Sequence, residues 1–217
     1  MRTPDLAEEL EAVLQKVLSA SSKDSSRQSP LAGYLIRRLR EKLPPHLHAH
    51  LRQEVAVPGL AREKRWDIGL VYPEEPRKPR LLLSLKSILA NPAGSWPNRL
   101  DDLVGEVSSI QMRFPEVVVG YVAILDRGAL TKKRRKISPT GGYDFFSFKK
   151  GLNNLAQRRP PLWFPGLIEA FWVLEIDSRT PGSTLLLDPG ATVEEGEKFL
   201  DTLVQQLRER EPLLFGG

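Results

Sequence analysis

Two short apolar runs constrain the fold most. Val117 to Leu125 contains no charged residue, and Leu81 to Leu85 is leucine at every position but Ser84. The first is the strongest strand signal in the chain, and the second is a short, mostly apolar run of the kind buried on both faces of a sheet. A strand buried on two sides needs helices above and below it. The remaining elements fit that demand. Leu6, Leu10, Val13, Leu14, Val17 and Leu18 repeat at helical spacing, with Asp5, Glu8 and Glu9 in the first turn. A second helix is expected from about 31 to 43, ended by Pro44-Pro45. Glu54 to Val57 alternates, and Trp66 to Tyr72 is β-rich and leads through the turn-rich 73–79 stretch into Leu81, which suggests a hairpin. A helical pattern runs from Pro97 to Phe114, a strand from Phe171 to Ile176, and an amphipathic helix with an acidic start and a basic end from Thr192 to Arg210. The order predicts an α/β fold with a central mixed sheet flanked by helices. One domain is expected, with a helical part over 1–50, a core over 51–126 and a remainder over 127–217.

Composition removes several function classes. There is no cysteine, so a disulfide framework, a thiolate zinc site and a cysteine nucleophile are excluded. The three histidines, His46, His48 and His50, alternate; that spacing would share a strand face but not a helix face. No apolar run reaches the roughly 18–20 residues of a membrane span, and Met1 opens no secretion signal, so a soluble cytoplasmic protein is expected. The net charge of +5 is mild. Its distribution says more, because Lys132, Lys133, Arg134, Arg135 and Lys136 are consecutive cations suited to displacing counterions from a polyanion. Arg158-Arg159 is a second basic cluster. Trp163, Phe164, Phe145, Phe146 and Phe148 offer rings that either stack on bases or fill the core. Tyr143, beside Gly141-Gly142, is expected to be exposed.

The chemistry concentrates at two strand ends. Asp67 lies near the start of one strand, and Ser84-Leu85-Lys86 closes the next. Side-chain alternation puts Ser84 and Lys86 on one face. If the two strands pair antiparallel, Asp67 and Lys86 meet at one sheet edge. A carboxylate can hold a hard divalent cation there, and a lysine can orient water or stabilise charge on a phosphate.

Asp67 followed by Ser84-Leu85-Lys86 resembles a variant of the PD-(D/E)xK nuclease motif. The stretch through Asn98-Arg99-Leu100-Asp101-Asp102 to Gly105, and on to Gly120-Tyr121, is similar to type II restriction endonucleases, which often carry an Asn-Arg-x-x-acid helix after the catalytic strand. The resemblance covers about residues 54–126. It implies a Mg2+-dependent endonuclease of double-stranded DNA, usually a homodimer, with a mixed sheet between helices. Two departures stand out: Trp66 occupies the place of proline, and Ser84, a weak metal ligand, occupies that of the second acid. Some family members with this serine recruit an acid from the following helix. On such a helix Leu100, Leu103, Val104, Val107 and Ile110 form an apolar stripe; Arg99 and Glu106 share its border, and Asp102 lies further toward solvent. Glu106 is therefore the favoured replacement, with Asp102 second. Glu54, an upstream glutamate of the kind family members add to the metal shell, is a third candidate.

The expected catalytic set is Asp67, Ser84, Lys86, Glu106 and Glu54, with Asp67, Glu106 and Glu54 as metal ligands. Lys132 to Lys136, Asn98 and Arg99 would contact nucleic acid. Two neighbouring readings use the same residues: a nuclease-like DNA-binding module that has lost catalysis, and a nuclease of RNA or branched DNA. A dimer would place two sites on two strands, with the N-terminal helices and the 192–210 helix as candidate interfaces.

Overall fold

The computed structural model describes residues 5–21, 26–71, 78–128, 141–158, 166–179 and 184–216, with residues 141–144 described in their backbone alone. The helices are α1 (Leu6–Ser19), α2 (Ser29–Lys42), α3 (Pro92–Gln111), α4 (Gly141–Leu155) and α5 (Pro189–Arg210). The strands are β1 (Leu51–Pro58), β2 (Glu63–Val71), β3 (Pro79–Ile88), β4 (Val118–Asp126) and β5 (Ala170–Ile176). They form one mixed sheet in the order β1-β2-β3-β4-β5. β1, β2 and β3 pair antiparallel, and β3, β4 and β5 pair parallel. The parallel pairs require crossovers, which α3 and α4 provide.

Helices cover both faces, as the two apolar runs demanded. All nine residues of β4 are buried. One face packs Leu81, Leu83, Val118, Val122 and Trp172 against α1, α2 and α5. The other packs Leu82, Val119, Tyr121, Ala123 and Leu125 against α3 and α4. Gly120 lets α5 sit close: a Cβ there would fall 2.5 Å from Leu83 Cδ2 and 2.9 Å from Phe199 Cζ.

The antiparallel end of the sheet has an irregularity that positions everything below. Leu51 and Ile68 belong to the α2 face, whereas Val57 and Trp66, an even number of residues away, belong to the α3 face. Regular alternation would keep each pair on one side. The ribbon exchanges faces at Glu54 and Asp67, which lie across from one another between the pairs Gln53–Ile68 and Val55–Trp66. Glu54 takes up the change with a left-handed backbone, φ 54°. Beyond this point the β1–β2 hairpin clasps the end of α3. Leu60 N–H donates to Ser109 O (3.0 Å) and Ser109 Oγ (3.1 Å), and Arg113 donates to Gly59 O.

Several expected boundaries shift. α3 begins at Pro92, and Pro97 lies inside it. α4 was not anticipated; it buries Phe145 and Phe148 and leaves Phe146 67% exposed. The three histidines lie on a 3-10 turn, Pro45–His50, and not on a strand, so the shared face their spacing would need does not form. Arg158 is no surface cation. It is 3% exposed, pairs with buried Glu169, and donates to Val117 O and Pro115 O. Among the described residues no helix is long and apolar enough to cross a membrane.

Candidate active site

Asp67 sits where the β2–β3 ladder ends. Regular pairing runs Leu70–Leu81, Gly69–Leu82 and Ile68–Leu83. At the next step Asp67 Oδ2 accepts the Leu85 N–H at 2.7 Å. A side-chain oxygen thus takes a backbone donor as the two strands part. This fixes the carboxylate beside Leu85, one residue from Ser84 and one from Lys86. Ser84 and Lys86 alternate with Leu83 and Leu85 of the α2 face, and so point with Leu82 and Ile88 toward α3.

α3 brings its own charges to this place. Glu106 pairs with Lys64 of β2, both largely covered, at 22% and 17% side-chain exposure. Lys64 also lies over the buried Trp66 ring, 4.7 Å from its centroid. Burial and the neighbouring Lys86 push the Lys64 ammonium down to about 7, against the pull of Asp67 and Asp102. Five charged groups, Lys64, Asp67, Lys86, Asp102 and Glu106, therefore act on one region. Arg62, Lys64, Asp101, Asp102, Glu106 and Ser109 line a groove of about 300 Å³ there.

Beneath them lie polar atoms without partners. Ser84 Oγ, Tyr121 Oη and Trp66 Nε1 are buried and unbonded among the described residues. Ser84 and Tyr121 are register partners across the β3–β4 pair. Burial raises the Tyr121 hydroxyl far above the ordinary phenol range; Arg99 opposes this, and Asp102 and Asp67 add to it.

The sequence candidates separate on this geometry. Ser84 and Lys86 point toward α3, Asp67 is held beside them on the Leu85 N–H, and Glu106 of α3 is engaged by Lys64. Glu54 does not: its left-handed backbone goes with a half-exposed side chain, 3.8 Å from Arg65. Asp102 is more exposed than Glu106 and lies 3.5 Å from Arg99 on its own helix. Asn98 Nδ2 donates to Gly94 O within α3. Val104, expected in the apolar stripe, is 41% exposed; Leu103, Val107 and Ile110 carry the contact. Lys64 and Tyr121 were missed as site residues. Lys64, two before Trp66, carried a signal in the alternation of β2; Tyr121 was hidden in the strongest strand. Lys132 to Lys136, Arg159, Trp163 and Phe164 lie outside the described residues, as does the Tyr143 side chain.

No three His, Asp or Glu side chains converge as a metal-ligand set among the described residues. Magnesium does not require such a set: it keeps several waters and takes one or two protein carboxylates plus substrate phosphate. Asp67 fits as the one carboxylate, with unpartnered hydroxyls in the adjoining layer. Glu106 would join only by leaving Lys64. The sequence matches no protein-family model and no curated protein.

Proposed function

We propose that the chain is a Mg2+-dependent endonuclease that hydrolyses phosphodiester bonds in double-stranded DNA, in the manner of a type II restriction enzyme. The supporting observation is the Asp67 carboxylate held on Leu85 N–H beside Lys86, within reach of two further cationic and acidic groups from β2 and α3. Asp67 would hold the cation, which when bound supplies Lewis-acid polarisation of a phosphate oxygen and an acidified water. Lys86 carries an ammonium, a donor without a lone pair, so it orients water or a non-bridging phosphate oxygen and offsets charge as the phosphorus crowds. Lys64, its pKa lowered to about 7, is only partly protonated at neutral pH and adds a fractional second positive charge a short step away, on the side of Glu106. In hydrolysis a water oxygen bonds phosphorus, one ester oxygen leaves, and that oxygen gains a proton. Lys132 to Lys136, Asn98 and Arg99 would hold the nucleic-acid backbone, and a homodimer would present two sites to two strands.

A nuclease-like module that binds DNA without cutting it is the second reading. It draws on the engagement of Glu106 by Lys64 and the outward Glu54, which leave Asp67 as the acid at the ladder's end with no ion-pair partner among the described residues. Plasmid cleavage with Mg2+ separates the two. Wild type should cut, and Asp67→Ala and Lys86→Ala should each lower the rate by at least about a hundredfold. Cleavage that survives both substitutions refutes the assignment. Steeply salt-dependent binding without cleavage under any divalent ion selects the binding module. Preference for RNA or branched DNA over linear duplex would reassign the substrate.

A further inference from the structure

Tyr121 spends a hydroxyl where phenylalanine would fill the same space. It is fully buried, with 0% exposure, and Oη has no partner among the described residues. Its register partner Ser84, 1% exposed, leaves Oγ in the same condition. An unpaired buried hydroxyl lowers stability, so two of them on register partners mark either a penalty or a ligand. Their location points to a ligand. Ser84 precedes the residue whose N–H grips Asp67, and the charges acting on the Tyr121 hydroxyl are Arg99, Asp102 and Asp67. On its other side the Tyr121 ring meets Phe148 edge-on, with centroids 6.4 Å apart. Unsatisfied polar groups in such a setting hold water, and magnesium brings its waters with it.

We propose that the Ser84 and Tyr121 hydroxyls hold a water of the hydration shell of a divalent cation carried by Asp67, which makes Tyr121 a positioning residue of the site. The proposal rests on the phosphodiesterase reading above. It gives Ser84, a poor direct ligand, a role through water. It also predicts opposite signs for stability and for metal binding.

The test uses the full chain and Mn2+ as the probe, read by thermal unfolding and by isothermal titration. Wild type should be stabilised by Mn2+, and Asp67→Asn should abolish that response. Tyr121→Phe and Ser84→Ala should melt no lower than wild type without metal, and should weaken Mn2+ binding by about tenfold. Cleavage by Tyr121→Phe should need correspondingly more Mg2+ while its rate at saturation falls less. If wild type ignores Mn2+, the metal site itself fails, and the proposal with it. If wild type responds, Asp67→Asn does not, and both hydroxyl variants bind like wild type, the proposal alone fails. A metal-free Tyr121→Phe that melts several degrees lower shows an internally bonded hydroxyl and also overturns it.

Discussion

β4 is flanked by two buried polar clusters built on opposite principles. Near its start, the Glu169 carboxylate has three donors: Oε2 accepts the Val119 N–H, and Oε1 accepts from Arg158 at 3.2 Å and Arg210 at 2.8 Å. Both guanidiniums also reach backbone carbonyls between Pro115 and Val117. Beside its middle, Tyr121 and Ser84 bring hydroxyls that bond nothing among the described residues, while Asp67, Lys86 and Lys64 lie at the rim. The first cluster ties β4, β5 and α5 together through paired charges. The second leaves its capacity open. Buried polarity that is saturated holds a fold together, and buried polarity left unsaturated weakens it unless something arrives to bind.

Breaking the saturated cluster should have the largest effect. Glu169→Gln leaves two buried guanidiniums without their anion and should cost about 3–5 kcal/mol in urea unfolding; a loss under about 1 kcal/mol would erase the contrast. Gly120→Ala comes next. Its new methyl meets Leu83, Phe199 and Leu203, and overpacking of that kind costs about 1–3 kcal/mol, read from the same titration. Lys64→Met removes a charge pair at the rim and should change stability by less than about 1 kcal/mol, because its partner Glu106 still reaches water. A penalty rivalling that of Glu169→Gln would make the Lys64–Glu106 pair structural.

The smallest effect is pH-dependent. Burial would raise the Glu175 carboxyl, but hydrogen bonds from Lys149 and Arg127 outweigh it and hold the group below its ordinary value. A depressed carboxylate contributes stability above its unfolded pKa and loses it as pH falls through the folded one. Glu175→Gln should therefore be slightly less stable than wild type at pH 7, by under about 1 kcal/mol because Lys149 and Arg127 are partly exposed. The two proteins should converge below about pH 4 in thermal melts across pH.

Much of this architecture was legible because the physics behind it is local. The β3 and β4 runs announce burial on both faces, and the β2–β3 hairpin follows from the turn residues between them. Asp67 and Lys86 were legible through the same strand ends. α4 escaped because Gly141, Gly142 and Gly151 break its helical signal and its aromatics cluster over four positions. The early start of α3 escaped because Pro97 reads as a first-turn residue, yet lies in the helix's second turn. Arg158 read only as part of a basic cluster with Arg159, since nothing local reveals a partner eleven residues away in Glu169. The face exchange at Glu54 and Asp67 depends on how β1 and β2 twist together, which alternation alone does not encode. Glu54 entered as a candidate ligand through the resemblance, which says nothing of that exchange, and Lys64 went unnoticed.

The clasp between the β1–β2 hairpin and Ser109 gives the rim a mechanical linkage. Lys64 lies on one arm of that ribbon and Glu106 on the helix it grips, while Asp67 is moored separately to Leu85. Ser109, one helical turn beyond Glu106 and lining the same groove, thus ties the ribbon that carries Lys64 to the helix that carries Glu106.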